Sequence, residues 1–197
     1  QIYSWRGAEN SLDAMQGQTR YLTQSFRFGE NIAETARHIL SIRPDGGPQQ
    51  VLRGAGSGKV DGHKGSKVAV ICRTNMGVIE EALAKMRTGI SIHVDNMEGL
   101  ISDVNSAQAL HDGRPDLVTS PDLRPYADWN ELKLEAEEGD GAMARLVSII
   151  ENDMVDSVRS LAQHHSKDPA RASVMICTAH RSKGLEWPAV VLGQDWK

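Results

Sequence analysis

The stretch Val174-Met-Ile-Cys-Thr-Ala-His-Arg-Ser-Lys-Gly-Leu-Glu-Trp-Pro188 decides how the rest of the chain is read. It opens as an unbroken apolar run, the pattern of a strand buried on both faces. It then releases Thr178, His180, Lys183 and Glu186 into one loop. A hydroxyl, an imidazole and an ammonium can hold phosphate oxygens, and a carboxylate can accept from a ribose hydroxyl. A lone histidine or lysine would mean little; the dense polar set behind a strand is the informative feature.

Around it, short apolar runs predict strands at Tyr21-Leu-Thr23, Gln50-Val-Leu52, Val68-Ala-Val-Ile-Cys72, Ile90-Ser-Ile-His-Val94 and Ala189-Val-Val-Leu192. Helical patterns run between them. Ile32, Ala36, Ile39 and Leu40 share one helix face, as do Ile79, Ala82, Leu83 and Met86. Strands alternating with helices predict an α/β layer with a largely parallel sheet. From about residue 98 to residue 169 the rhythm breaks. No convincing strand appears there, Leu146, Ile150, Met154, Val158 and Leu161 keep a helical period, and a loop with three prolines at 114–125 divides the stretch. This predicts a helical insertion between two sheet strands.

The 197 residues suffice for one large domain or a domain with an insertion. No run is long and apolar enough to span a membrane. The formal charge of −4 excludes a uniformly basic nucleic-acid coat but leaves room for a local phosphate-binding groove. Acidic residues gather in Glu131-Leu-Lys-Leu-Glu-Ala-Glu-Glu-Gly-Asp140. Cys72 and Cys177 each end an apolar run and are expected as small core residues in a reducing compartment, not as a disulfide or metal ligands. The chain opens on Gln1-Ile-Tyr without an initiator Met or signal peptide and closes just after a strand, so it is expected to be a piece of a longer protein.

Arg53-Gly-Ala-Gly-Ser-Gly-Lys-Val60 imitates a phosphate-binding loop and fails the spacing test. A P-loop needs a glycine, four free positions, then Gly-Lys with a hydroxyl directly after it. Those places hold Arg53 and Val60, so residues 54–67 read as a flexible turn between two strands.

Two further clusters carry chemistry. Gln1-Ile-Tyr-Ser-Trp-Arg-Gly-Ala8 sets Tyr3 and Trp5 beside Arg6, a combination suited to stacking on single-stranded bases, although composition alone favours aromatics packed in a core. Leu22-Thr-Gln-Ser-Phe-Arg-Phe-Gly29 ends a strand with Phe26 and Arg27 in a loop before a helix. Ligands of parallel sheets sit at the carboxyl ends of strands. An arginine there can meet a γ-phosphate; the plainer alternative is an arginine paired with a nearby carboxylate.

Together the three clusters, in this order and spacing, resemble motifs III, IV and V of superfamily 1 DNA helicases of the UvrD/Rep/PcrA type. The segment Val68-Ala-Val-Ile-Cys-Arg-Thr-Asn75, with Gly89-Ile-Ser-Ile-His93, is similar to the strand-helix-strand that follows motif IV. The short insertion is closest in layout to the F-box DNA helicase family and its phage and bacterial relatives. The resemblance implies a RecA-like second motor domain of an ATP-dependent translocase moving 3′ to 5′ on single-stranded DNA. Its partners would be ATP, single-stranded DNA and single-strand/duplex junctions, and the first motor domain of the same polypeptide, with no membrane. It implies residues 1–17 as the end of the first motor domain, 18–97 and 171–197 as the second, and 98–170 as a reduced insertion. Tyr3, Trp5 and Arg6 would couple ATP state to the bases. Phe26 would stack on adenine and Arg27, the catalytic candidate, would reach the γ-phosphate. Arg73 and Asn75 would touch the DNA strand, and Thr178 and His180 would hold its phosphates. Glu186 would meet the ribose, with Lys183 and Gly184 shaping that loop.

Phe26 stands where many relatives carry Tyr, and Trp187 where Phe is commoner. No P-loop and no Mg²⁺-binding acidic motif appears in residues 1–197, so the Mg²⁺ ligands are expected in the first motor domain and the fragment alone is expected to be inactive. The implied location is the cytoplasm, or the nucleus in a eukaryote. The alternatives are a non-catalytic nucleic-acid-binding or regulatory module built on a helicase domain and, more remotely, an unrelated α/β nucleotide-binding enzyme, which would need a glycine-rich strand-to-helix turn.

Overall fold

The computed structural model describes residues 23–42, 52–60, 67–138 and 141–196. The chain divides into two compact units, Gln1–Lys64 and Gly65–Lys197.

In the first unit, strand β1 (Gln24–Ser25) leads through a bend into helix α1 (Glu30–Ser41). Strand β2 (Arg53–Gly54) returns parallel to β1, with Gln24 opposite Arg53 and Ser25 opposite Gly54. Of the two predicted runs, Tyr21, Leu22, Gln50 and Val51 lie outside the described residues. Thr23 and Leu52 precede the two strands, and Gly54, predicted as the start of a turn, is the end of β2. Backbone pairing, not side-chain burial, defines this short ladder. Ile39 and Leu40, on the apolar face of α1, remain 56% and 42% exposed, whereas Ala33 is the buried residue of that helix.

The second unit holds a four-stranded parallel sheet. Strand β3 (Val68–Cys72) is followed by helix α2 (Asn75–Met86) and strand β4 (Ile92–Val94); strand β5 (Val174–Thr178), the short helix α7 (Ala179–Ser182) and strand β6 (Val190–Leu192) complete it. The order in the sheet is β4-β5-β3-β6. Central β3 and β5 bury residues on both faces, as their continuous apolar runs require. Edge strand β6 is exposed along its whole length. The predicted α/β class with a parallel sheet and flanking helices is the observed one.

Helix α2 starts where the Thr74 hydroxyl accepts from the Gly77 N–H at 2.9 Å, satisfying one of the donors a helix start leaves unpaired. It buries Ile79, Ala82 and Leu83 as the periodicity predicts. It stops before Gly89, whose φ of 72° is left-handed.

Between β4 and β5 lie helices α3 (Met97–His111), α4 (Trp129–Glu138), α5 (Gly141–Glu151) and α6 (Val155–His164). The insertion is helical, as predicted, but it builds no separate core. Leu100, Val104, Leu132, Leu146, Ile150, Val158 and Leu161 join Val70, Ile79 and Ile176 in one apolar cluster. The helical period at 146–161 does not mark one helix. The backbone turns at Asp153, with φ 54°, and Met154 N–H closes the turn on the Ile149 carbonyl at 2.9 Å. The apolar period survives the break because α5 and α6 cover the same core. The proline-divided loop is held by Ser106, whose hydroxyl accepts from the N–H groups of Thr119 and Ser120 at 3.0 and 2.9 Å.

Candidate nucleic-acid and nucleotide site

In the first unit, residues 26–28 bend between β1 and α1 and present Phe26 with 77% of its surface exposed. The Arg27 N–H donates to the Ser25 hydroxyl at 3.3 Å. The glycine-rich segment behind this bend is its support. Ala55 N–H donates to the Ser25 carbonyl at 2.7 Å and Gly56 N–H to the Phe28 carbonyl at 2.9 Å. Gly54 N–H donates to a Glu30 carboxylate oxygen at 2.9 Å. That bond, followed by the Arg37 guanidinium 2.8 Å from the other oxygen, holds the Glu30 carboxyl below the usual carboxylate range. Arg37 also donates to the Leu52 carbonyl.

Three N–H groups that a P-loop would aim at phosphates are thus bonded to the chain's own acceptors, consistent with the failed spacing. The glycines have a packing reason instead. A Cβ on Gly54 would lie 2.3 Å from the Gly29 carbonyl, and one on Gly56 would lie 2.4 Å from the Phe26 carbonyl oxygen. Backbone crosses backbone at these two points, and a side chain has no room.

In the second unit, pairing brings two candidate groups to one end of the sheet. Cys72 stands opposite Thr178 in the parallel β3–β5 ladder. Arg73 and Asn75 therefore follow β3 at the level where His180 follows β5. The connections out of β3 and β5 run in opposite directions across the sheet. That reversal marks a topological switch point, and the carboxyl ends of the strands at such a point are the usual ligand position of parallel sheets. Arg73 and His180 are exposed, Asn75 is half-buried, and Thr178 is only 8% exposed.

Helix α7 is a single turn, closed by Ser182 donating to the Ala179 carbonyl at 2.8 Å. Gly184 follows with φ 82°, a conformation that favours glycine, and lets the loop carry exposed Lys183 and Glu186. Arg181 reaches across to Asp95, which follows β4, at 3.2 Å. This tie between the α7 loop and the entry to the insertion has no signature in the spacing of the sequence.

The strongest residue unforeseen in the sequence is Asp195, in the turn after β6. Its carboxylate, 5% exposed, accepts from Arg73 N–H at 2.9 Å, Thr74 N–H at 2.7 Å and the Thr74 hydroxyl at 2.9 Å. Burial pushes its acidity toward the neutral form, but those donors outweigh it and hold the carboxyl below its ordinary value. Cys72 and Cys177 are free and buried, as predicted; burial raises their thiols to about 12 and about 11.

Phe26 and Arg27 belong to the first unit, and Arg73, Asn75, Thr178, His180, Lys183, Gly184 and Glu186 to the second. Tyr3, Trp5 and Arg6 lie outside the described residues. Among the described residues, no group of three or more His, Cys, Asp or Glu could hold a metal ion. No helix among them is long and apolar enough to cross a membrane.

No protein-family model matches the chain. Among curated proteins, it is 30% identical over its full length to F-box DNA helicase 1 of Gallus gallus and 25% identical to F-box DNA helicase protein 1 of Schizosaccharomyces pombe. The chain spans 21% and 25% of the length of these two relatives. The chain is thus similar, from end to end, to a part of two proteins named as DNA helicases.

Proposed function

We propose that the chain is the second motor domain, with the end of the first, of an ATP-dependent superfamily 1 DNA helicase of the UvrD type that moves 3′ to 5′ on single-stranded DNA. The observation that carries this reading is the β3–β5 register, which sets Arg73 and Asn75 beside Thr178 and His180 at one sheet end. Full-length similarity to helicase-named proteins supports it.

In this reading a guanidinium and an amide (Arg73, Asn75) and a hydroxyl and an imidazole (Thr178, His180) track the sugar-phosphate chain, contacts that position without reading sequence. The exposed Phe26 face receives adenine, and the Arg27 guanidinium approaches the γ-phosphate, where charge develops during transfer. Glu186 accepts from the ribose, with Lys183 and Gly184 shaping its loop. ATP bound between two motor lobes supplies the free energy of the step. The Mg²⁺ ligands belong, in this reading, to the first motor domain. Tyr3, Trp5 and Arg6 would join the DNA track to the ATP site.

The test is strand separation by the intact polypeptide on duplexes carrying a 3′ or a 5′ single-stranded tail. Unwinding of the 3′-tailed substrate only is expected. Arg27→Ala should lower DNA-stimulated ATPase by about 10³-fold while leaving DNA binding measurable, as loss of an arginine aimed at transferred phosphate does. Unchanged turnover would refute the role of Arg27. DNA binding without any ATPase in the unaltered protein would point to a non-catalytic module.

A further inference from the structure

We propose that Asp195 is a positioning residue for the DNA track: its carboxylate fixes the Arg73–Thr74 backbone and thereby the direction in which Arg73 and Asn75 are presented. The inference rests on the reading of residues 73–75 as a strand-contacting turn.

Three bonds converge on this one side chain. Oδ1 accepts from Arg73 N–H, and Oδ2 accepts from both the N–H and the hydroxyl of Thr74. Thr74 in turn accepts from Gly77 N–H and starts helix α2. The carboxylate sits so close to that helix that a Cβ on residue 77 would lie 2.1 Å from Oδ2; Gly77 is what admits it. The turn carrying Asp195 is itself anchored to the end of β3. Gly193 N–H and the Trp196 indole N–H both donate to the Ile71 carbonyl, at 2.8 and 2.9 Å.

The start of a helix favours an anion, and here the chain supplies its own. A DNA phosphate is thereby kept from these N–H groups and must be met by the side chains of Arg73 and Asn75. Charge-assisted bonds to backbone N–H are stronger than neutral ones, so the carboxylate rigidifies the turn more than an amide of the same shape would. An asparagine at 195 offers one oxygen, and its NH₂ group faces a donor.

The experiment uses the intact polypeptide and a fluorescent single-stranded oligonucleotide. Read out are DNA affinity, the DNA concentration for half-maximal ATPase, the KM for ATP and the unfolding midpoint. Asp195→Asn should weaken DNA binding about tenfold, the scale of a lost hydrogen bond to a charged group, with KM for ATP unchanged. The Arg73→Ala/Asn75→Ala pair should weaken it at least as much, and adding Asp195→Asn to that pair should cost nothing more, because mispositioning side chains that are already absent has no further effect. Independent, multiplying losses overturn the proposal. So does a lowered unfolding midpoint with DNA affinity unchanged, which makes Asp195 structural only. If Arg73→Ala and Asn75→Ala leave DNA affinity unchanged, the strand-contact reading falls first and the positioning role with it.

Discussion

Replacing Gly56 with alanine places a Cβ 2.4 Å from the carbonyl oxygen of Phe26 and 3.0 Å from both the Phe26 carbonyl carbon and the Phe28 nitrogen. Carbon and oxygen atoms of neighbouring chains ordinarily stay about 3.3 Å apart. All three obstructing atoms are backbone, so no side chain can swing away. The bend bearing Phe26 and Arg27 must then retreat by about 0.9 Å, the difference between the two separations. Misplacement of about 1 Å at a catalytic group costs about 10²-fold in rate, while overpacking of this kind costs about 1–3 kcal/mol in stability. Steady-state ATPase of the intact polypeptide, at saturating single-stranded DNA, is therefore expected to show kcat reduced about 10- to 100-fold, with a raised KM for ATP from displacement of Phe26. Gly89→Ala is the control. Its Cβ meets nothing within 4 Å, yet φ of 72° strains any side chain there. That variant should lose about 1–2 kcal/mol of stability and keep its kcat. Gly56→Ala turning over like the unaltered protein would refute the support role of the glycine segment. Equal losses of kcat in the two variants would assign the effect to stability alone.

Two further outcomes test the fold. Leu161→Ala, at a fully buried position shared by the insertion and the sheet, should destabilise the second unit by about 2–5 kcal/mol in denaturant unfolding. A loss confined to the helical signal, with the sheet unaffected, would contradict the single shared core. Cys72 and Cys177 should resist a thiol reagent at pH 8 in the folded protein and react once it is unfolded, because burial raises both thiols to about 12 and about 11. The folded state keeps protons that the unfolded state releases, so stability should fall as pH rises above the ordinary thiol range toward 11. Rapid labelling of the native protein at pH 8 would contradict their placement.

The sequence alone carried the class of the fold because the central strands are buried on both faces. Val68-Ala-Val-Ile-Cys72 and Val174-Met-Ile-Cys-Thr178 are continuous apolar runs, and such runs have few other solutions. Helix α2 was equally legible, since its buried residues recur at helical spacing. The first unit was less so. Its two-residue strands are defined by backbone pairing, which apolar content does not encode, and they fall at Gln24–Ser25 and Arg53–Gly54, just past Thr23 and Leu52. The unbroken period from Leu146 to Leu161 hid the turn at Asp153, because two successive helices facing one core can keep a shared rhythm.

Of the candidate site, the sequence by itself determined which chemical groups stand at these positions: Phe26 and Arg27 before α1, Arg73 and Asn75 after β3, Thr178 at the end of β5, and His180, Lys183 and Glu186 after it. Only the tertiary structure decided that Cys72 and Thr178 stand opposite one another, so that residues from positions about a hundred apart share one sheet end. Only it decided what the glycines at 54 and 56 are for, and that a carboxylate at 195 closes on the backbone at 73 and 74. The reason is physical. Spacing along a chain encodes local geometry, whereas strand order, backbone crossings and a buried anion's choice of donors are settled when distant segments meet.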